Sequence, residues 1–187
     1  DANHRAPLTG LIATQGALDA ALDGLVAAGL PLVGLLVVEF CAEPIAEGVW
    51  RKTGTFRLGG LVSTDHAVIE DNWVVKYGTK GLSTEAMMRA ERDEVAANAH
   101  AAALGPVFAL AGIEYGRADH ATVAGREVVY EINTNPDITA LAPQRLAVRD
   151  ETLAIARARL AAGFSAIDSG DGRPVPIDQG QRPGAHV

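Results

Sequence analysis

The sequence predicts an α+β fold, a mainly antiparallel sheet flanked by helices. Three observations carry this. Two pairs of β-like runs are each joined by a short glycine-bearing turn, the pattern of antiparallel hairpins. Helical stretches lie between and outside these pairs instead of alternating with single strands, which argues against a doubly wound parallel sheet. No Gly-x-Gly-x-x-Gly turn and no Gly-Lys-Ser/Thr opens a helix, so the dinucleotide and P-loop signatures are missing.

The elements follow in order. Residues 1–13 read as loop, with Pro7 and Gly10 as punctuation. Thr14 can cap a helix whose Leu18, Ala21, Leu22 and Leu25 keep helical spacing until Gly29 stops it. Leu35–Phe40 is apolar and β-branched, as expected of a strand buried on both faces. Cys41–Gly48 reads as a loop. From Val49 to Val68 two β-like runs flank Gly59-Gly60, and Asn72–Tyr77 is a short apolar piece. Thr84–Leu110 predicts one long helix that Gly105-Pro106 breaks or kinks near its end. Two strands, Glu114–Val123 and Glu127–Asn133, meet at Ala124-Gly125-Arg126, and Asn135-Pro136 ends the second. Leu146–Gly163 predicts a last helix, and the Gly- and Pro-rich residues 168–187 have little to bury and read as a mobile tail.

Composition narrows the function classes. The 187 residues are 48% hydrophobic, enough for a core, which excludes wholesale disorder. A formal net charge of −7 argues against non-specific nucleic-acid or anionic-membrane binding. Cys41 is the single cysteine, which excludes an internal disulfide and any Cys-rich zinc site and fits a cytoplasmic protein. The longest apolar stretch, Leu25–Val38, is interrupted by Gly29, Pro31 and Gly34, and a membrane helix needs about 18–20 unbroken apolar residues. No signal peptide is visible, and the first residue is Asp1 in place of Met, as in a processed chain or a fragment.

The chemistry concentrates in GIEYGRADHATVAGREVVYEINTNP, residues 112–136. If its two strands pair, Asp119 lies on one and Glu131 on the other. Glu131 and Asn133 are two apart and share a face. Three hard oxygen donors of this kind suit Mg²⁺. The same residues would suit a solvated hairpin face, with Asn-Pro as a plain turn. The apolar neighbours Val128, Val129, Tyr130 and Ile132 favour a buried strand, where a carboxylate needs a partner or a metal. His66, His100 and His120 lack ligand spacing; His120 should face away from Asp119 and reads as structural.

Asp119 followed by Glu131-Ile132-Asn133 resembles the closing strands of ATP-grasp enzymes, in which an Asp and a Glu-x-Asn hold magnesium on the ATP phosphates. The resemblance implies an ATP-grasp-like fold lacking its N-terminal part. It divides the chain into the remainder of a first subdomain with its hinge strand (1–48), a second subdomain with the Mg²⁺ and phosphate site (49–164) and the tail (165–187). It also implies metal ligation of Mg²⁺, or Mn²⁺, by Asp119, Glu131 and Asn133. LLVVEF, residues 35–40, is similar to the hinge strand, so Glu39, Phe40 and Cys41 would meet the adenine. VWRKTGTFRLGGLV, residues 49–62, is similar to the following hairpin. Many members carry an Arg where this sequence has Gly54; Lys52, on the same strand face, would take its place, with Arg51 and Arg57 pointing the other way. NWVVKYG, residues 72–78, offers Lys76 to a phosphate. Read without the resemblance, Glu39 ends a core strand, Lys76 is a surface lysine, and the basic residues line a solvated edge.

What the resemblance implies is an ATP-dependent carboxylate–amine ligase. A carboxylate attacks the γ-phosphate to give an acylphosphate and ADP, and an amine then displaces phosphate, with Lys52 and Arg117 neutralising charge. The partners would be ATP and a small-molecule acceptor, without nucleic acid or membrane, and a homodimer stays open. A non-catalytic nucleotide-binding module and a small-molecule kinase are the alternatives.

Overall fold

Among the described residues, four strands in two hairpins form one sheet. In this computed structural model residues 7–138, 146–168 and 170 are described, and the chain divides into two units, Asp1–Ala42 and Glu43–Val187.

In the first unit α1 (Gln15–Ala27) starts as its sequence directs. Thr14 is extended and its hydroxyl accepts from Ala17 N at 3.2 Å, satisfying one of the amides the first turn leaves orphaned. Gly29, at φ +77°, ends the turn that follows. The expected strand Leu35–Phe40 is not a strand, and Leu36, Val37 and Val38 are largely exposed. An apolar run becomes a strand only when a neighbour's backbone pairs with it, and among the described residues none does.

In the second unit β1 (Trp50–Leu58) and β2 (Leu61–Glu70) turn at Gly59-Gly60, with Gly59 at φ +57°. β3 (Tyr115–Val123) and β4 (Arg126–Asn133) turn at Ala124-Gly125, both at positive φ, as a tight hairpin of this handedness requires. β1 pairs with β3, giving the antiparallel order β2-β1-β3-β4. Two register shifts interrupt it. Asp65 and His66 together oppose Gly54, and Tyr130 is an extra residue between the pairs Asp119–Glu131 and His120–Val129.

The long helix expected over Thr84–Leu110 is two: α2 (Glu85–Ala97) and α3 (Ala101–Ala111). The break falls at Asn98, left-handed at φ +53°, and Pro106 lies inside α3. Asn tolerates this conformation, and its amide serves β2: Oδ1 accepts from Thr64 N at 2.7 Å and Nδ2 donates to Val62 O at 3.0 Å. The outward backbone of an edge strand is thereby satisfied at the point where the helix stops.

Leu104 and Phe108 of α3, both fully buried, pack on Ala118 with Val62, Val129 and Ile132 around them. Met88 of α2 meets Ile69 and Val148, the last from α4 (Ala147–Ile167). Buried Glu91 and Arg149 pair between α2 and α4 and use both backbone groups of Ala67, Glu91 accepting from its N–H and Arg149 donating to its C=O. These contacts put α2 and α3 on one face of the sheet. The opposite face carries the polar residues considered next. Residues 139–145, 169 and 171–187, with nearly all of the tail expected to be mobile, lie outside the described residues.

Candidate functional site

β3 sits between β1 and β4, and alternation sends Arg117 and Asp119 to the face away from α3. Gly54 of β1 is the direct partner of Asp119, and Lys52, two residues earlier, shares its face. Lys52 Nζ lies 2.8 Å from Asp119 Oδ2, and Arg117 donates from Nη1 to Asp119 Oδ1. The same guanidinium donates from Nε to Asp65 Oδ2 at 3.0 Å and from Nη2 to the His66 carbonyl at 3.4 Å. Two cations and two carboxylates form a compensated quartet, each side chain more than four-fifths buried.

Gly54 makes the quartet possible. An ideal Cβ placed on it would fall inside the Arg117 guanidinium, so the group lies directly over that backbone. The bulge opposite Gly54 brings Asp65 and His66 into reach. Burial opposes the charge of the Asp65 carboxyl, but His66, with Nδ1 at 3.0 Å, and the Arg117 guanidinium prevail and hold it at about 2.

The expected site residues fare unequally. Lys52, Arg117 and Asp119 touch one another. Glu131 is the register partner of Asp119, and Asn133 that of Arg117. The buried strand expected around Glu131 is an edge strand on which Glu131 and Asn133 are exposed; Val129 and Ile132 face α3, while Tyr130 is exposed. Apolar neighbours bury one face of such a strand, not both. Asn133 Oδ1 accepts from Asn135 N at 2.8 Å, shaping the turn after β4. Lys76 lies in the loop after β2, where its amide, with those of Tyr77 and Gly78, donates to Glu70 Oε1. Glu39, Phe40 and Cys41 belong to the first unit, with Glu39 and Phe40 both exposed. Arg51 points away from Lys52, as expected, donating to Glu94 of α2 at 3.0 Å.

On the α3 side of the sheet lies a group that sequence spacing missed. His100, at the N-cap of α3, His120 of β3 and Glu127 of β4 bring their ligand atoms within 4.8 Å of one another. His100 Nδ1 is 2.8 Å from Glu127 Oε1, and His120 Nδ1 is 2.6 Å from Oε2. His120 Nε2 is 2.9 Å from Thr55 Oγ1. The Glu94 carboxylate, then Glu127, raises the pKa of His100 against the pull of burial, whereas burial outweighs Glu127 at His120 and lowers it. Burial opposes the charge of Glu127, but the two imidazoles prevail and lower its pKa.

A shallow depression of about 330 Å³, lined by Arg57, Phe108, Ala109, Gly112, Ile113 and Glu114, includes none of the expected site residues. Among the described residues no helix is long and apolar enough to cross a membrane. Comparison with protein-family models, curated proteins and solved structures finds no match to this chain.

Proposed function

We propose that this chain contributes the phosphate and metal side of a Mg²⁺–ATP site, in an ATP-grasp-like protein that joins a carboxylate to an amine through an acylphosphate. The observation that carries the reading is the convergence of Lys52 and Arg117 on Asp119, with Glu131 directly across the ladder. Asp119, Glu131 and Asn133 offer carboxylate and amide oxygens, the donor set that hard divalent cations prefer, and would hold the ion. A bound Mg²⁺ would supply positive charge against the phosphates.

The protein's own groups do the rest. Phosphate oxygens compete with Asp119 for Lys52 and Arg117, and the planar fork of Arg117 suits two of them at once. Arg117 also supplies the cation that the chain lacks at Gly54, which favours a working phosphate site over an inert module. Acyl transfer needs positioned charge more than a nucleophilic side chain. Lys76, in the loop after β2, is offered to a phosphate. The reading places the protein in the cytoplasm, where a lone cysteine such as Cys41 stays a reduced thiol.

Titration calorimetry of ATP with and without Mg²⁺ tests this. We expect binding to tighten at least tenfold with Mg²⁺ and Glu131→Gln to remove that gain. Lys52→Ala should weaken ATP by roughly ten- to a hundredfold while leaving adenosine unchanged. Equal affinity with and without the metal, or equal losses for ATP and adenosine, overturns the assignment.

A further inference from the structure

The geometry points to a second, separate metal site: a divalent transition metal of the zinc class held by His100, His120 and Glu127 on the α3 side of the sheet. It does not depend on the ATP reading, because its ligands lie on the opposite face from Asp119.

Each imidazole presents Nδ1 to one oxygen of the Glu127 carboxylate, at 2.8 Å for His100 and 2.6 Å for His120. Three inward ligand atoms of mixed nitrogen and oxygen type are the protein share of an open zinc site, whose fourth position goes to water. At ligand bonds of about 2.1 Å a tetrahedral ion needs its donors roughly 3.4 Å apart, so these contacts would open by roughly 0.7 Å.

The outer groups already match. The Glu94 carboxylate lies 3.7 Å from His100 Nε2 and is itself held by Arg51. Thr55 Oγ1 lies 2.9 Å from His120 Nε2, and Thr122 donates to Glu127 at 3.0 Å. Metal-bound histidines characteristically donate their other N–H to a carboxylate or oxygen of this kind.

His100 Nε2 is buried without a hydrogen-bond partner, the Glu94 carboxylate standing 3.7 Å away. With a cation on both Nδ1 atoms, the ring hydrogens would sit on Nε2, where Glu94 and Thr55 stand as acceptors. The site is also anchored on three elements: His100 N donates to Thr64 Oγ1 of β2 at 3.1 Å, while His120 and Glu127 come from β3 and β4. Side-chain exposures of 14% for His100 and 17% for Glu127, against 0% for His120, leave entry from one side.

The test is titration of the chelator-treated 187-residue chain with Zn²⁺ against a chromophoric competitor, and with Co²⁺ read by its visible absorption. One equivalent should bind with a dissociation constant of roughly 1 μM or less, and Co²⁺ should give the intense bands of four-coordinate geometry. Glu127→Gln and His100→Gln, each checked for native circular dichroism, should weaken Zn²⁺ at least a hundredfold, and Glu94→Gln about tenfold through the orientation of His100. Asp119→Asn should leave it unchanged. A hydrogen-bonded cluster with no metal function predicts no stoichiometric binding and no cobalt band, and that result overturns the proposal. So does binding that survives Glu127→Gln, which would locate the ion elsewhere.

Discussion

Replacing Gly54 by alanine should destabilise the fold by displacing the Arg117 guanidinium. The backbone of Gly54 is outside the left-handed region, so alanine meets no conformational objection there. What the new Cβ meets is the Arg117 guanidinium. That group is the tip of a flexible side chain and can move, so the steric term is small; the cost lies in what it leaves. Arg117 gives up its bonds to Asp65, Asp119 and the His66 carbonyl, and two nearly buried carboxylates lose a cation. Removing one partner of a buried ion pair costs about 3–5 kcal/mol. Asp119 keeps Lys52 and Asp65 keeps His66, so about 2–3 kcal/mol is expected. For a chain of this size that is roughly 5–10 °C in Tm. The assay is thermal and urea unfolding of Gly54→Ala, Arg117→Ala and the pair. In the Arg117→Ala background the guanidinium is gone, and Gly54→Ala should become neutral or slightly stabilising through the less flexible unfolded chain. Equal cost in both backgrounds, or no cost in either, refutes the reasoning.

Acid should expose the same quartet. The Asp65 carboxyl falls from an ordinary 3.8 to about 2 on folding, so its contribution is full above pH 4 and is lost as pH drops toward 2. Denaturant unfolding from pH 6 to 2 should show about 2 kcal/mol of this loss, absent in Asp65→Asn; an identical profile in that variant removes Asp65 as the cause. Glu91→Ala should destabilise by about 3–5 kcal/mol, because it strands Arg149 between α2 and α4. Glu91→Leu with Arg149→Leu should recover most of that in urea unfolding, and a double variant no better than the single one would mean the pair is worth more than its desolvation.

Much of the architecture was legible because it rests on local rules. Gly59-Gly60 and Ala124-Gly125 announce their hairpins by conformational need, and Thr14 and Thr84 announce helix starts by their hydroxyls. The failures are places where the chain's choice depends on distant partners. Leu35–Phe40 has the composition of a strand but finds no pairing backbone among the described residues. Asn98 has nothing about it in sequence that outranks Gly105-Pro106 as a breaker; it wins because its amide is used by Val62 and Thr64 of β2. In the site, Lys52, Arg117 and Asp119 follow from two-residue alternation. Asp65 and His66 enter only through a bulge that no local signal marks.

The histidine cluster was illegible for a related reason. Strict alternation along β4 would put Glu127, Glu131 and Asn133 on one face, since all are odd-numbered. Tyr130 breaks that parity. Beyond the bulge Glu131 and Asn133 oppose Asp119 and Arg117, while before it Glu127 opposes Thr122 and turns to the α3 side with His120. A one-residue shift in a strand of period two moves every side chain to the other face. Here the shift is confined within one strand, so β4 serves both faces of the sheet, carboxylate to each. β3 needs no such device, because Asp119 and His120 are neighbours and diverge by ordinary alternation. One extra residue therefore lets a single hairpin supply an oxygen-rich face and, behind it, a mixed nitrogen and oxygen cluster. These two donor sets suit different classes of metal, and the thickness of the sheet keeps them apart.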